Sequence, residues 1–200
     1  MCGRYYIDID NTEFKKIIEE AQKNIYENYR IGEIFPTNIA PIYIEDDNKM
    51  KPILAKWGFP KWDGKGVIIN ARAESISEKQ MFKKLVLSKR CIVPASYYFE
   101  WKKEEEGKDK YKINNPNSNV YMAGLYNVVS NKESKQLSLF ESNTDIFYTI
   151  ITRHANESVS HIHNRMPLIF NKDEMQNWLS GQDINKLIEN DHMLYSEITK

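Results

Sequence analysis

Residues 35–60, FPTNIAPIYIEDDNKMKPILAKWGFP, hold two apolar, β-branched runs on either side of a polar centre. Runs of this length and composition read as strands, and the intervening Glu45 to Lys49 reads as a turn. Gly58 and Pro60 close the unit, because glycine and proline end regular pairing. The segment is therefore expected to be a β-hairpin, and a β core is the starting point for the rest of the chain.

Upstream of the hairpin, Cys2 to Ile9 reads as extended. Thr12 to Tyr29 then places Phe14, Ile17, Ile18, Ala21 and Ile25 at helical spacing, behind Asp10 and Asn11 as cap candidates. Downstream, Val67 to Ile69 is a short apolar strand running into the polar Asn70-Ala71-Arg72-Ala73-Glu74. Glu78 to Leu87 reads as a helix burying Met81, Phe82, Leu85 and Val86. Further strands are expected at Cys91 to Val93, Tyr97 to Lys102, Tyr111 to Ile113, Val120 to Val129 and Phe147 to Thr152, with Lys103 to Lys110 as a charged hairpin turn. Asn131 to Asp145 is polar and reads as a surface loop. Leu168 to Phe170 leads through Asn171 and Glu174 into a capped helix containing Met175, Trp178 and Leu179. The region from Cys91 to Thr152 is thus mainly β, and no repeat or linker divides residues 1–200, so a single domain is expected.

Composition supports that reading and narrows the function. With 41% apolar and 12% aromatic residues in 200, the chain can bury a substantial core. The start MCGRYY holds no apolar run of signal-peptide length, and no stretch reaches the roughly 20 apolar residues that span a bilayer. A soluble cytoplasmic protein is expected, with Cys2 and Cys91 as free thiols. Lys plus Arg equals Asp plus Glu at 28 each, so the net charge gives no electrostatic footprint for a long duplex. Nucleic-acid binding, if present, has to be local; Lys79, Lys83, Lys84, Lys89, Arg90 and Arg72 are candidates for a basic surface.

Cys2 is chemically special because aminopeptidases remove Met1 when the next side chain is small, leaving an amine and a thiol on one residue. The amine has a reference pKa of about 7.7 to 8.0 and the thiol about 8.5, so the nucleophilic forms of both are accessible near neutrality. Such a pair condenses with an aldehyde to a Schiff base, and the sulfur then closes a five-membered thiazolidine. Taken alone, Cys2 is more simply a small N-terminal residue without a role.

Three polar clusters stand out. Alternation at a strand end puts Asn70, Arg72 and Glu74 on one face, where Asn70 can hydrogen-bond a nucleophile and Arg72 a phosphate, or Arg72 and Glu74 can simply pair at a sheet edge. In Cys91-Ile92-Val93-Pro94-Ala95-Ser96-Tyr97-Tyr98-Phe99-Glu100-Trp101, burial would raise the Glu100 pKa and suit it to proton transfer, whereas a solvent-facing edge position would leave it inert. In His161-Ile162-His163-Asn164-Arg165-Met166-Pro167, two histidines share a face. Without a further Cys or His at ligand spacing, proton transfer or phosphate binding is the better functional reading than a metal, and an isolated surface histidine is the alternative.

Taken in order, Met1-Cys2-Gly3-Arg4-Tyr5, Trp57-Gly58, Asn70 to Glu74, Arg90-Cys91-Ile92-Val93-Pro94 through Glu100-Trp101, and His163-Asn164-Arg165-Met166-Pro167 closely resemble the SOS-response-associated peptidase (SRAP) family of abasic-site processing proteins. The resemblance spans nearly the whole chain. It implies an α+β fold, a single domain with a β-barrel-like mixed sheet core and flanking helices, and a groove for single-stranded DNA containing abasic sites that ends at the mature N-terminus. It further implies that Cys2 is the crosslinking residue, that Asn70 positions it, that Glu100 shuttles protons, and that His163 assists opening of the deoxyribose. Arg72 and Arg4 are implied as DNA contacts, as is Thr152 beside the active site; Pro36 and Trp57 would pack against sugars or bases. The family pattern has a glycine before the aromatic-Glu-Trp turn, where this chain has Ser96-Tyr97-Tyr98-Phe99. No cofactor, metal or membrane is implied, and a monomer is expected. Two other readings of the same residues are an N-terminal-nucleophile thiol peptidase that removes Met1, and a non-covalent single-stranded DNA-binding module.

Overall fold

The computed structural model describes residues 2–21, 29–130 and 144–199. It begins with β1 (Tyr5–Ile7), α1 (Thr12–Ala21) and β2 (Gly32–Ile34). Phe14, Ile17, Ile18 and Ala21 of α1 are buried, as their spacing predicts, and Asn11 caps the helix by accepting from the Glu13 amide over 2.9 Å. The helix is described as far as Ala21; the expected continuation through residues 22–28, Ile25 included, lies outside the described residues, and Tyr29 is not helical.

The hairpin forms as expected from β3 (Ile39–Asp46) and β4 (Lys49–Trp57), with Asp46 opposite Lys49. Asp47 and Asn48 both have positive φ, at 51° and 57°, the conformation of a two-residue turn that matches strand twist and that Asp and Asn tolerate. Next come β5 (Phe59–Pro60), β6 (Val67–Ile68) and β7 (Asn70–Arg72), then α2 (Gln80–Lys83) and α3 (Leu85–Ser88). The single helix expected over 78–87 is thus two short ones that meet at Lys84. Phe82 and Val86 are buried and Leu85 packs at the edge of the same cluster, but Met81 is exposed.

The remaining strands are β8 (Arg90–Ala95), β9 (Tyr97–Glu104), β10 (Gly107–Asn114), β11 (Val120–Ser130), β12 (Thr144–His154), β13 (Arg165–Pro167) and β14 (Ile169–Phe170). β9 and β10 run further than their apolar segments suggest, so the charged connection shrinks to Glu105 and Glu106. Of the expected loop 131–145, residues 131–143 lie outside the described residues, while Thr144 and Asp145 already belong to β12. α4 (Lys172–Leu179) carries the capping box anticipated from Asn171 and Glu174, with both reciprocal hydrogen bonds made. α5 (Ile184–Leu187) and β15 (Tyr195–Ile198) complete the chain.

The fold is α+β. β12, β4, β3, β8 and β11 pair in sequence, and the additional β12–β11 pairing closes them into a five-stranded barrel. Within this ring the contact between β12 and β4 is parallel. β7, β13 and β14 extend the barrel wall, and β7 joins β12 in parallel register, Asn70 opposite Ile150. A second, open sheet has the order β15-β10-β9-β1-β2. One apolar cluster, containing Cys2, Tyr5, Trp57, Tyr98 and Tyr148, lies where the two sheets meet, and another packs α4 and α5 against the opposite face of the barrel. No helix among the described residues is long and apolar enough to cross a membrane.

Candidate functional site

The N-terminal segment is held by main-chain bonds before any side chain contributes. The Phe99 amide donates to the Arg4 carbonyl over 2.9 Å and the Ser96 amide to the Tyr6 carbonyl over 2.8 Å, so β1 is laid against β9. This docking carries Cys2 into the core, where its exposure is 0%. Its Sγ makes a weak contact with the Arg4 carbonyl at 3.9 Å.

Asn70, at the start of β7, reaches across from the barrel and donates its Nδ2 to the Cys2 carbonyl over 2.9 Å. The two residues are separated by 68 positions in sequence. The strand carrying Asn70 is pinned from beneath, since the Trp57 indole nitrogen donates to the Ile69 carbonyl over 3.1 Å. Trp57 also stacks on Tyr148 and tilts against Tyr5, whose hydroxyls bond each other at 2.6 Å. Gly58 follows with a φ of 108°, and a Cβ there would meet the Val67 side chain at 2.7 Å. The Trp57-Gly58 pair is therefore a close-packed corner under the site. Trp57 is fully buried, which corrects its expected role: it has no surface to offer a sugar or base.

Glu100 lies on the inner face of β9 at 3% exposure, which rules out the solvent-facing alternative. Alternation sends Phe99 and Trp101 to the outer face. Burial raises the Cys2 thiol well above its ordinary range, and the Glu100 charge raises it further, so the thiol is protonated at neutral pH.

His163 is half-buried, and its Nδ1 accepts from the Arg165 amide over 2.9 Å. A neutral ring held this way carries its proton on Nε2. Arg165 itself, at 7% exposure, grips Glu74 with two bonds of 2.7 and 2.9 Å and also donates to the Thr152 carbonyl over 2.7 Å. Partial burial pushes Glu74 up, but the hydrogen bonds and charge of Arg165 and the backbone amides outweigh it and hold the carboxyl at about 2.

The expected Arg72–Glu74 face is accordingly split. The chain leaves the strand after Arg72 and turns through a short 3-10 segment, Ala73–Ser75, so Glu74 swings to Arg165. Arg72 remains exposed and without an ion pair among the described residues. Thr152 is fully buried, with its hydroxyl 3.4 Å from the Ala71 carbonyl and 3.3 Å from Arg165. Its expected DNA contact is corrected to support of the Arg165 clamp, because no atom of it reaches solvent. Arg90 is also buried and donates to the carbonyls of Val86, Trp178 and Gln182, so it joins no basic surface.

Arg4 stays at the surface side of β1, its guanidinium 4.3 Å above the Phe35 ring and 5.0 Å from Trp101. Glu33 accepts from both Arg4 and Lys110, at 3.2 and 2.9 Å. Pro36 is half-buried in the turn Phe35–Asn38, whose Thr37 has a φ of 74° and donates its amide to the Trp57 carbonyl over 2.8 Å. Lys110, which lies over Phe99, and the buried Tyr98 were not singled out by sequence reasoning. The alternation of β9 is the signal that would have found Tyr98, since it must share the face of Glu100.

Comparison with known proteins gives a consistent assignment. The profile of the SOS response associated peptidase (SRAP) family matches residues 1–198. The chain is 36% identical over 196 residues to the abasic site processing protein YoqW of Bacillus subtilis, covering 92% of this chain and 82% of that one. It is 26% identical over 200 residues to the abasic site processing protein YedK of Escherichia coli, covering 94% and 85%. A crystal structure of a Bacteroides thetaiotaomicron protein superposes with a TM-score of 0.78 at 23% identity, over 100% of this chain and 92% of that one, and shares the fold.

Proposed function

The chain belongs to the SOS response associated peptidase family, and from that premise we propose that it processes abasic sites in single-stranded DNA by capturing them covalently on Cys2 once Met1 has been removed. The observation that carries this reading is the Asn70 to Cys2 carbonyl bond, which fixes the backbone of the residue whose amine and thiol must both reach one carbon.

The chemistry follows from the groups present. An abasic deoxyribose is a hemiacetal, and His163, with its proton on Nε2, donates to the ring oxygen as the ring opens to the aldehyde. The Cys2 amine attacks the aldehyde carbon, and loss of water leaves an imine. Because burial and Glu100 keep the thiol protonated, ring closure needs a base; Glu100 accepts the thiol proton as sulfur bonds the former aldehyde carbon, giving a thiazolidine. Arg72 and Arg4 supply phosphate contacts from the exposed side, and the abasic nucleotide must be unpaired to reach a recessed N-terminus. Peptidase activity on Met1 is not required, since aminopeptidase processing exposes Cys2 equally well.

Intact mass spectrometry before and after incubation with single-stranded DNA bearing one abasic site tests the proposal. A Met1-free wild type should gain the DNA mass, while Cys2→Ser and undamaged DNA should give no stable adduct. A processed wild type that gains nothing overturns covalent capture and leaves the peptidase or the non-covalent module.

A further inference from the structure

One buried hydroxyl beside Cys2 takes no part in the contacts described so far. Tyr98 is completely buried, and its hydroxyl has no hydrogen-bond partner among the described residues. Its neighbours have solved the same problem, because Tyr5 and Tyr148 bond each other. A hydroxyl buried without a partner is unfavourable, and such groups are rare enough to require an explanation.

Its position supplies one. Tyr98 lies directly opposite Tyr5 across β1 and β9, two residues before Glu100 on the same inner face, and in the same apolar cluster as Cys2. Burial, and after it the charges of Cys2 and Glu100, raise the ionisation of the phenol well above its ordinary range. It is thus a fixed donor near both groups and keeps its proton throughout. Among the described residues the Cys2 thiol has only the weak contact with the Arg4 carbonyl. Once the sulfur passes its proton to Glu100 it has nothing to donate there and faces the lone pairs of a carbonyl oxygen, which is unfavourable for an anion.

We propose that the Tyr98 hydroxyl donates a hydrogen bond to the Cys2 sulfur as it becomes anionic during ring closure, making Tyr98 a positioning residue for the second covalent step. The inference rests on the capture chemistry above. In that step a protonated imine carbon gains a carbon–sulfur bond, the π pair of the carbon–nitrogen bond returns to nitrogen, and the thiol proton passes to the Glu100 carboxylate. No oxidant or reductant is consumed.

The test separates imine from ring. Met1-free wild type and Tyr98→Phe are mixed with single-stranded DNA carrying one abasic site, quenched with borohydride at intervals, unfolded and alkylated with iodoacetamide. A trapped imine becomes a reduced amine that keeps two alkylatable thiols, Cys2 and Cys91, whereas a thiazolidine adduct keeps only Cys91. Tyr98→Phe should slow ring closure relative to imine formation by about tenfold or more, as loss of a hydrogen bond to a charged group would. The pH–rate profile of closure should move upward, and the melting temperature should hold or rise because an unsatisfied hydroxyl has been removed. An unchanged closure rate and pH profile overturns the role of Tyr98 alone. A lowered melting temperature with both steps slowed equally also overturns it, because it shows a packing role. A wild type that forms neither imine nor ring overturns the capture reading, and the Tyr98 role with it.

Discussion

Asn70 donates its side-chain amide to the carbonyl of Cys2 across 2.9 Å, and so joins the edge of the barrel to the N-terminal strand of the other sheet. The bond acts on the backbone of the nucleophile and leaves its amine and thiol free to react. Asn70→Ala should therefore slow adduct formation several-fold to about tenfold, the range expected for one hydrogen bond. Asn70→Asp should be worse, since a carboxylate would face the Cys2 carbonyl. Adduct mass against time on abasic DNA measures both, and an Asp variant that matches wild type sinks the positioning role.

Glu100→Gln keeps the shape of a side chain buried on β9 and removes the base. Adduct formation should slow by about 10²-fold or more, within the range for positioned acid–base groups, while affinity for undamaged single-stranded DNA should hold. Unchanged adduct kinetics in this variant take Glu100 out of the mechanism.

Arg72 is exposed and unpaired among the described residues, in contrast to Arg4, which shares Glu33 with Lys110. Arg72→Ala should weaken single-stranded DNA binding and reduce the slope of log K against log salt by about 0.7, the loss of one phosphate contact. Fluorescence anisotropy across a salt series reads the slope directly, and an unaltered slope contradicts phosphate contact.

The Glu74–Arg165 pair predicts an acid-sensitive component of stability. Glu74 is held at about 2 against an ordinary 4.5, so its contribution is complete above pH 4.5 and is lost as pH falls toward 2. Glu74→Gln should unfold more readily at pH 6 than wild type, and the difference should shrink between pH 4.5 and 2. Because the Arg165 amide holds His163, the same variant should also slow capture at neutral pH. Parallel stability curves across that range would contradict the pairing.

How much of this was legible in the sequence depended on the range of the interaction. The 35–60 hairpin and the Asn171 cap rest on alternation or spacing within one segment and formed as read, whereas alternation left open which face of β9 turns inward, and burial of Tyr98 and Glu100 settles it. The parallel pairing of β12 with β4 within the barrel is non-local, and so is the capture of Glu74 by Arg165 91 residues away. Neither leaves a local pattern. Trp57 and Thr152 show the other difficulty: a residue type suited to DNA contact does not reveal which side of a wall it faces, and both face inward.

Trp57 illustrates how a buried residue can affect capture without touching DNA. Its indole nitrogen holds the Ile69 carbonyl, one residue before Asn70, and its ring packs between Tyr5 and Tyr148. Trp57→Phe keeps an aromatic ring but leaves that carbonyl without its donor, so unfolding stability should fall by about 1–3 kcal/mol. Trp57→Ala should cost about 3–5 kcal/mol through the cavity it leaves. In the folded Phe variant the anchor beneath Asn70 is gone, so adduct formation should slow while the salt dependence of DNA binding stays that of wild type. Urea unfolding and anisotropy on the same preparation decide the matter: full stability with weakened DNA binding would place Trp57 in the groove after all, and lost stability with an unchanged salt slope places it beneath.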